Sequence, residues 1–379
     1  MFAQFSLNLL MTTVNSSHRP HSRLLFWLKT IPSVASAIAI LVSSLVLVGW
    51  ILDIPILKSI LPNLVTMKAN TAIAFWLSGI VLGLLHRQHV SQPKRRIAQL
   101  FAVIVVIIGG LTLSQYLFNW NLGIDQLVFR EIPGAIGTYH PGRMAPNTAL
   151  NFILIGSALL LVSRKNHRCH WLVQLLTLTA ALIAWQPLLG YAYKFEPLYG
   201  IASFTHMALH TALLFIVLCF GILFARPGRG VMRVITSNTT GGFLARRLLV
   251  AAIAFPSLLG YVILQGERAQ LYNSPFALSL LVIATIAVFA IWIWQNAETL
   301  ARSDSRRKQA EAAIATLNHD LQRRVSELQT LFEVIPISIA IADDRECQHI
   351  RVNSTFAQLL EIPSDANASC TPPNGTSPL

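Results

Sequence analysis

Runs of about 20 apolar residues recur along this chain, and that is the length a helix needs to cross the roughly 30 Å hydrocarbon core of a bilayer. No water in that core can satisfy an exposed amide group, so the run must take the conformation that satisfies its own. About eight runs qualify: 31–52, 67–85, 97–117, 144–162, 170–189, 206–224, 247–264 and 276–294. Composition agrees, because 54% hydrophobic residues, only 12% charged and a mean hydropathy of +0.57 do not describe a soluble protein of 379 residues. The fold class expected is mainly α, a polytopic membrane helix bundle.

A formal charge of +13 and a pI near 10.1 would suit a nucleic-acid partner if the cations lay on one face. They lie instead in short clusters between the apolar runs, where they set topology, so lipid and not nucleic acid is the expected partner. Alternate loops carry Arg19, Arg23 and Lys29; Arg87, Lys94, Arg95 and Arg96; Arg164, Lys165 and Arg168; and Arg226, Arg229 and Arg233. These are read as cytoplasmic. The intervening loops hold Lys58 and Lys68, then Arg130 and Arg143, Lys194 and Arg268, mixed with Asp53, Asp125, Glu131, Glu196 and Glu267. Both termini are thus expected in the cytoplasm, and the first run, which no small-residue cleavage site follows, is an uncleaved span. Cys169, Cys219, Cys347 and Cys370 are too scattered to frame a disulfide or zinc site.

An internal hairpin repeat shows as Met67-Lys68-Ala69-Asn70-Thr71-Ala72-Ile73-Ala74-Phe75, Met144-Ala145-Pro146-Asn147-Thr148-Ala149-Leu150-Asn151-Phe152 and Met207-Ala208-Leu209-His210-Thr211-Ala212-Leu213-Leu214-Phe215. Each copy opens an even-numbered span after an outer loop rich in aromatic residues, Gly and Pro. The pairs Asn70/Thr71, Asn147/Thr148 and His210/Thr211 put polar groups near the outer ends of three spans, where an unpaired polar group is expensive, so they are expected to face one another. Helix capping with interhelical hydrogen bonding accounts for them, and a sensing pocket is the sharper reading. His206 and His210 stand one turn apart, a spacing that can bind metal or haem, but no acidic or cysteine partner accompanies them at fixed spacing, so no metal site is assigned and any cofactor is unknown.

After Trp294 the chain turns polar. Ile314, Leu317, Leu321, Leu328 and Leu331 then follow a heptad seam that Arg324 interrupts, which predicts a cytoplasmic signalling helix able to pair with a second copy. Beyond it, 338–342 and 349–352 alternate like short strands, and 355–360 begins a helix. His319 lies in the linker ahead of that α/β segment, without the residues that follow a phosphoaccepting histidine, and Gly134, Gly137 and Gly142 are not spaced as a nucleotide loop. No catalytic constellation is found.

The run 324–336, then Ile339-Ala340-Ile341-Ala342-Asp343-Asp344, Ile350-Arg351-Val352-Asn353 and Phe356-Ala357-Gln358-Leu359-Leu360, resembles the start of a PAS sensory domain. The repeat motifs, with Leu61-Pro62, Gly142-Arg143 and Phe204 beside them, and Arg226-Pro227-Gly228-Arg229-Gly230 resemble the membrane input region of bacterial PAS-containing sensor histidine kinases. The resemblance implies a homodimer in the bacterial inner membrane that controls a distal kinase, or a kinase or response regulator downstream, through the connecting helix. The division expected is a cytoplasmic tail (1–30), an eight-span sensor domain (31–295), a coiled-coil linker (296–332), an incomplete PAS domain (333–369) and a disordered tail (370–379). A PAS domain needs about a hundred residues, and the similarity stops near Ser369, before any phosphoacceptor or ATP-binding domain, so the chain reads as truncated and without activity of its own. The same input could serve a diguanylate cyclase. From another class, the repeat suits a small-solute transporter, although no span carries a mid-membrane run of ionisable residues.

Overall fold

The structure, a computed structural model, describes residues 20–60, 64–86, 90–132, 134–164, 166–194, 205–237, 239–364 and 366–369. Expectations that rest on Arg19, Leu61, Pro62, Arg87, Lys165, Glu196, Phe204, Cys370 or the 370–379 tail lie outside those residues. Two compact units are present, Met1–Ala290 and Ile291–Leu379.

In the first unit α1 (Pro20–Ile51), the single turn α2 (Pro55–Lys58), α3 (Ala69–Leu85), α4 (Gln92–Leu117), α5 (Pro146–Val162), α6 (His167–Tyr193), α7 (Leu209–Phe224), the short α8 (Gly230–Ile235) and α9 (Thr240–Arg268) follow in order. Helix α10 (Ser274–Val334) begins here and runs on into the second unit. Local chemistry sets many of the ends. Pro146 opens α5 at a position whose amide would have no partner anyway, and Asn166 and Thr239 cap α6 and α9 by accepting from the amides of Arg168 and Gly242. Lys194, at φ 51°, ends α6 in the left-handed region.

Among the described residues five helices are long and apolar enough to cross a membrane: α1 from Thr30, α4, α6 from Arg168, α9 from Gly241, and α10. Helices α3, α5 and α7 are shorter, with 17, 17 and 16 residues. They are also the most deeply buried. Each packs between two long neighbours, α3 between α1 and α4, α5 between α4 and α6, and α7 between α6 and α1, and the three touch one another at the centre. Six helices thus form a closed ring with the short three inside. Phe75, Phe152 and Phe215 meet at that centre with ring centroids 4.6–4.9 Å apart, and all three are fully buried.

Lipid tails are as apolar as leucine, so close packing rather than the hydrophobic effect must hold such helices together. Small residues supply it. Gly79 lies on α1, where its carbonyl accepts from Ser36 Oγ at 2.7 Å, while Gly109 and Gly156 bring α4 and α5 together so closely that an added Cβ would sit 2.6 Å from Ala149 O or Val106 Cγ2. In the second unit the strands β1 (Ala340–Ala342) and β2 (Ile350–Val352) pair antiparallel, Ala340 opposite Val352, and the turn α11 (Ser354–Leu359) packs Phe356 and Ala357 against Val352.

Candidate functional site

The three inner helices start alike. Each is entered through extended backbone, with Lys68, Ala145 and Ala208 at φ −69°, −60° and −67° and ψ 150°, 150° and 149°, and each has a methionine, Met67, Met144 or Met207, fully buried just before the first turn. An extended backbone leaves the methionine carbonyl outside any helix ladder, and a buried carbonyl needs a donor. A ring from the preceding long helix supplies one in every case: Trp50 Nε1 to Met67 O at 2.9 Å, Tyr116 OH to Met144 O at 3.0 Å, and Tyr191 OH to Met207 O at 2.8 Å. Sequence reasoning missed these three donors. Their distances from the methionines, 17, 28 and 16 residues, hide the equivalence because the loops between differ in length.

The polar pairs themselves act locally. Asn70 Oδ1 accepts from Thr71 N at 2.7 Å and Asn147 Oδ1 from Thr148 N at 2.9 Å, each satisfying a first-turn amide that the helix cannot. Thr71, Thr148 and Thr211 lie four residues before Phe75, Phe152 and Phe215, so each shares its helix face with the central rings. His210 replaces the asparagine in α7, and its Nε2 is buried with no hydrogen-bond partner, as are both side-chain polar atoms of Asn151 in α5. The phenylalanine rings meet across the three helices.

Over these starts lie residues 120–132 and 134–143, and they carry buried charge. Lys68 Nζ is 2.5 Å from Glu131 Oε1, with the two side chains 3% and 6% exposed. Glu131 Oε2 accepts from Gly142 N at 2.6 Å, and Lys68 Nζ donates to Thr138 Oγ1 at 2.7 Å. A second pair, Arg143 with Asp125 at 2.8 Å, is as buried, and Gln115 bridges it by accepting from Arg143 and donating to Asp125. The Arg143 guanidinium also lies 5.3 Å from the Tyr116 ring that serves Met144. Gly142, at φ +74°, turns the backbone tightly enough that any side chain would strike Asp125. On the surface, Lys58 pairs with Asp53, whose carboxyl the hydrogen bond from Lys58 holds below its usual range. All three ion pairs among the described residues of this unit involve these loops, whereas Arg95, Arg164 and Arg233 enter none.

The other singled-out residues lie elsewhere. Ile314, Leu317, Leu321, Leu328 and Leu331 stand on α10 with more than half of each side chain exposed. Among the described residues no group of three His, Cys, Asp or Glu side chains could hold a metal ion. The arrangement can position helices and hold a cap. No protein-family model, no curated protein and no solved structure matches this chain.

Proposed function

We propose that the chain is the membrane input module of a signalling protein, in which a helix bundle controls a cytoplasmic segment through one continuous helix. The observation that carries this reading is α10 itself. Its 61 residues span about 90 Å, begin as an apolar segment fit to cross a membrane and continue as a polar helix with an apolar heptad stripe. It leads directly into the β1–β2–α11 segment, read as the start of a PAS domain.

Eight spans are part of the proposal. Helices α3, α5 and α7 reach only about 25 Å, but the extended residues before each add about 3.3 Å apiece. The long helices around them keep that extended backbone away from lipid. The likeness of the three starts supports three copies of one hairpin. Orientation follows from charge, since the basic clusters recur in alternate loops, while among the described residues of the loops assigned outside Lys58, Lys68 and Arg143 pair with acidic residues, which puts both termini in the cytoplasm of a bacterial cell. Homodimerisation follows from the seam. Ile314, Leu317, Leu321, Leu328, Leu331 and Ile335 occupy a and d positions, and Arg306 and Glu311 fall at g and e, where they attract across a parallel pair. A kinase, response regulator or diguanylate cyclase downstream would read the change. The repeat also favours a transporter, but the close-packed Phe75, Phe152 and Phe215 fill the axis along which three hairpins would have to open.

In a cysteine-free background, single cysteines at Leu317, Leu321 and Leu328 should crosslink between chains in membranes, and those at Thr316 and Gln322 much less. Equal crosslinking at all five positions, or none, would remove the support for a dimeric relay.

A further inference from the structure

Helices α8 and α9 leave the six-helix ring, and the ring helix they pack against is α6. The attachment at the start of α6 is specific. Gln174, 6% exposed, donates Nε2 to Arg229 O at 2.8 Å and accepts at Oε1 from Val231 N at 2.8 Å. One carboxamide therefore satisfies the backbone on both sides of Gly230, as a neighbouring strand would. Gly230 is at φ +57°, and a Cβ there would run into that carboxamide. A turn earlier on α6, His170 Nε2 touches the Arg229 guanidinium, and Arg226 donates to Leu85 O at 3.2 Å and His86 O at 3.1 Å, at the end of α3.

At its other end α6 holds α9. Tyr193 OH donates to Ser257 O at 2.6 Å, Trp185 Nε1 to Ser257 Oγ at 3.4 Å, and Arg268 to the carbonyls of Tyr193 and Lys194. So α6 holds the turn that opens α8 near one of its ends and the middle and end of α9 at the other, and α9 is the element that delivers the chain to α10.

We propose that the Gln174 carboxamide is the clamp through which α6 moves the 226–231 turn, and with it α8 and α9, so that a shift of α6 within the ring becomes a shift of the output arm. This rests on the input-module reading. The clamp suits a switch because its two bonds form or break together. With the amide displaced, Arg229 O and Val231 N must find water instead, so the turn has a held and a released state with little between.

Gln174→Leu keeps the shape and removes both bonds; Gln174→Glu keeps the acceptor for Val231 N and loses the donor; Gly230→Ala pushes the carboxamide aside and leaves Gln174 itself unaltered. With the full chain in nanodiscs, hydrogen exchange across 229–236 should quicken by about five- to tenfold in Gln174→Leu and Gly230→Ala. Gln174→Glu should fall between these and wild type, while exchange in α3 and α5 stays unchanged. In the same variants, the crosslinking yield at Leu317, Leu321 and Leu328 should change relative to wild type. Unchanged exchange at 229–236 overturns the clamp, as does quickened exchange with the wild-type crosslinking pattern. If wild type itself fails to crosslink, the relay reading falls, and the exchange data judge the clamp alone. Should Gln174→Leu not yield folded protein, Gln174→Glu and Gly230→Ala carry the same comparison.

Discussion

Buried charge is the most demanding feature at the scale of single residues. Lys68 and Glu131 give up water together, and the surrounding donors and acceptors, Gly142 N and Thr138 Oγ1, complete their bonding. Removing one partner leaves the other ionised and unpaired, so Lys68→Met or Glu131→Leu alone should destabilise the bundle by about 3–5 kcal/mol. The double replacement should recover most of that loss, and denaturant unfolding in detergent measures both. The Phe75, Phe152 and Phe215 cluster obeys packing instead. Phe152→Ala opens a cavity that close-packed neighbours cannot fill and should cost about 3–5 kcal/mol, with Phe152→Leu well below it. In the second unit Asp343 accepts two bonds from Arg351, which hold its carboxyl below the ordinary value of 3.8. A lowered folded pKa means that this contribution to the β1–β2 pairing is complete above the ordinary value and disappears as pH falls through the lowered one. A carboxylate NMR titration should show Asp343 titrating below 3.8, and Arg351→Ala should return it upward.

At the scale of elements, the starts of α3, α5 and α7 are the distinctive construction. A ring donor from the preceding long helix fixes each methionine carbonyl, so a long helix and the next short one are tied where the short one begins as well as packed along their lengths. Tyr116→Phe and Tyr191→Phe remove only the hydroxyl, and each should cost about 1–3 kcal/mol by leaving a buried carbonyl without its donor. If the three hairpins are equivalent units, the two losses should be similar, and thermal unfolding of the purified variants checks this. The polar half of α10 shows the opposite economy, because its pairs Arg302–Glu298, Arg307–Glu311 and Arg323–Glu327 are all i,i+4 and exposed. Such exposed pairs add little to a helix, because water screens them.

For the whole molecule, the proposed topology makes a direct prediction: reporter fusions after Leu85, Val162 and Phe224 should all report cytoplasm, and a periplasmic signal from any one would break the eight-span arrangement. Much of the architecture was legible in advance. Apolar length and charge clustering follow from the cost of bare amides and charges in lipid, a one-dimensional rule, so the runs at 31–52, 97–117, 170–189 and 247–264 could be read directly, as could the change to a polar seam after Trp294. The motif shared by Met67–Phe75 and its two relatives marked where something recurs but not what it does. Asn70 and Asn147 bond within their own helices, and the rings of Phe75, Phe152 and Phe215 meet across the bundle. Tertiary structure alone decided that the short helices lie inside a ring, that Trp50, Tyr116 and Tyr191 answer the methionine carbonyls, that Lys68 finds Glu131, and that Gln174 reaches Arg229 and Val231. Each of these pairs residues whose separation is set by loop length, which carries no periodic signal, and each becomes favourable only once packing removes water or lipid from around both partners.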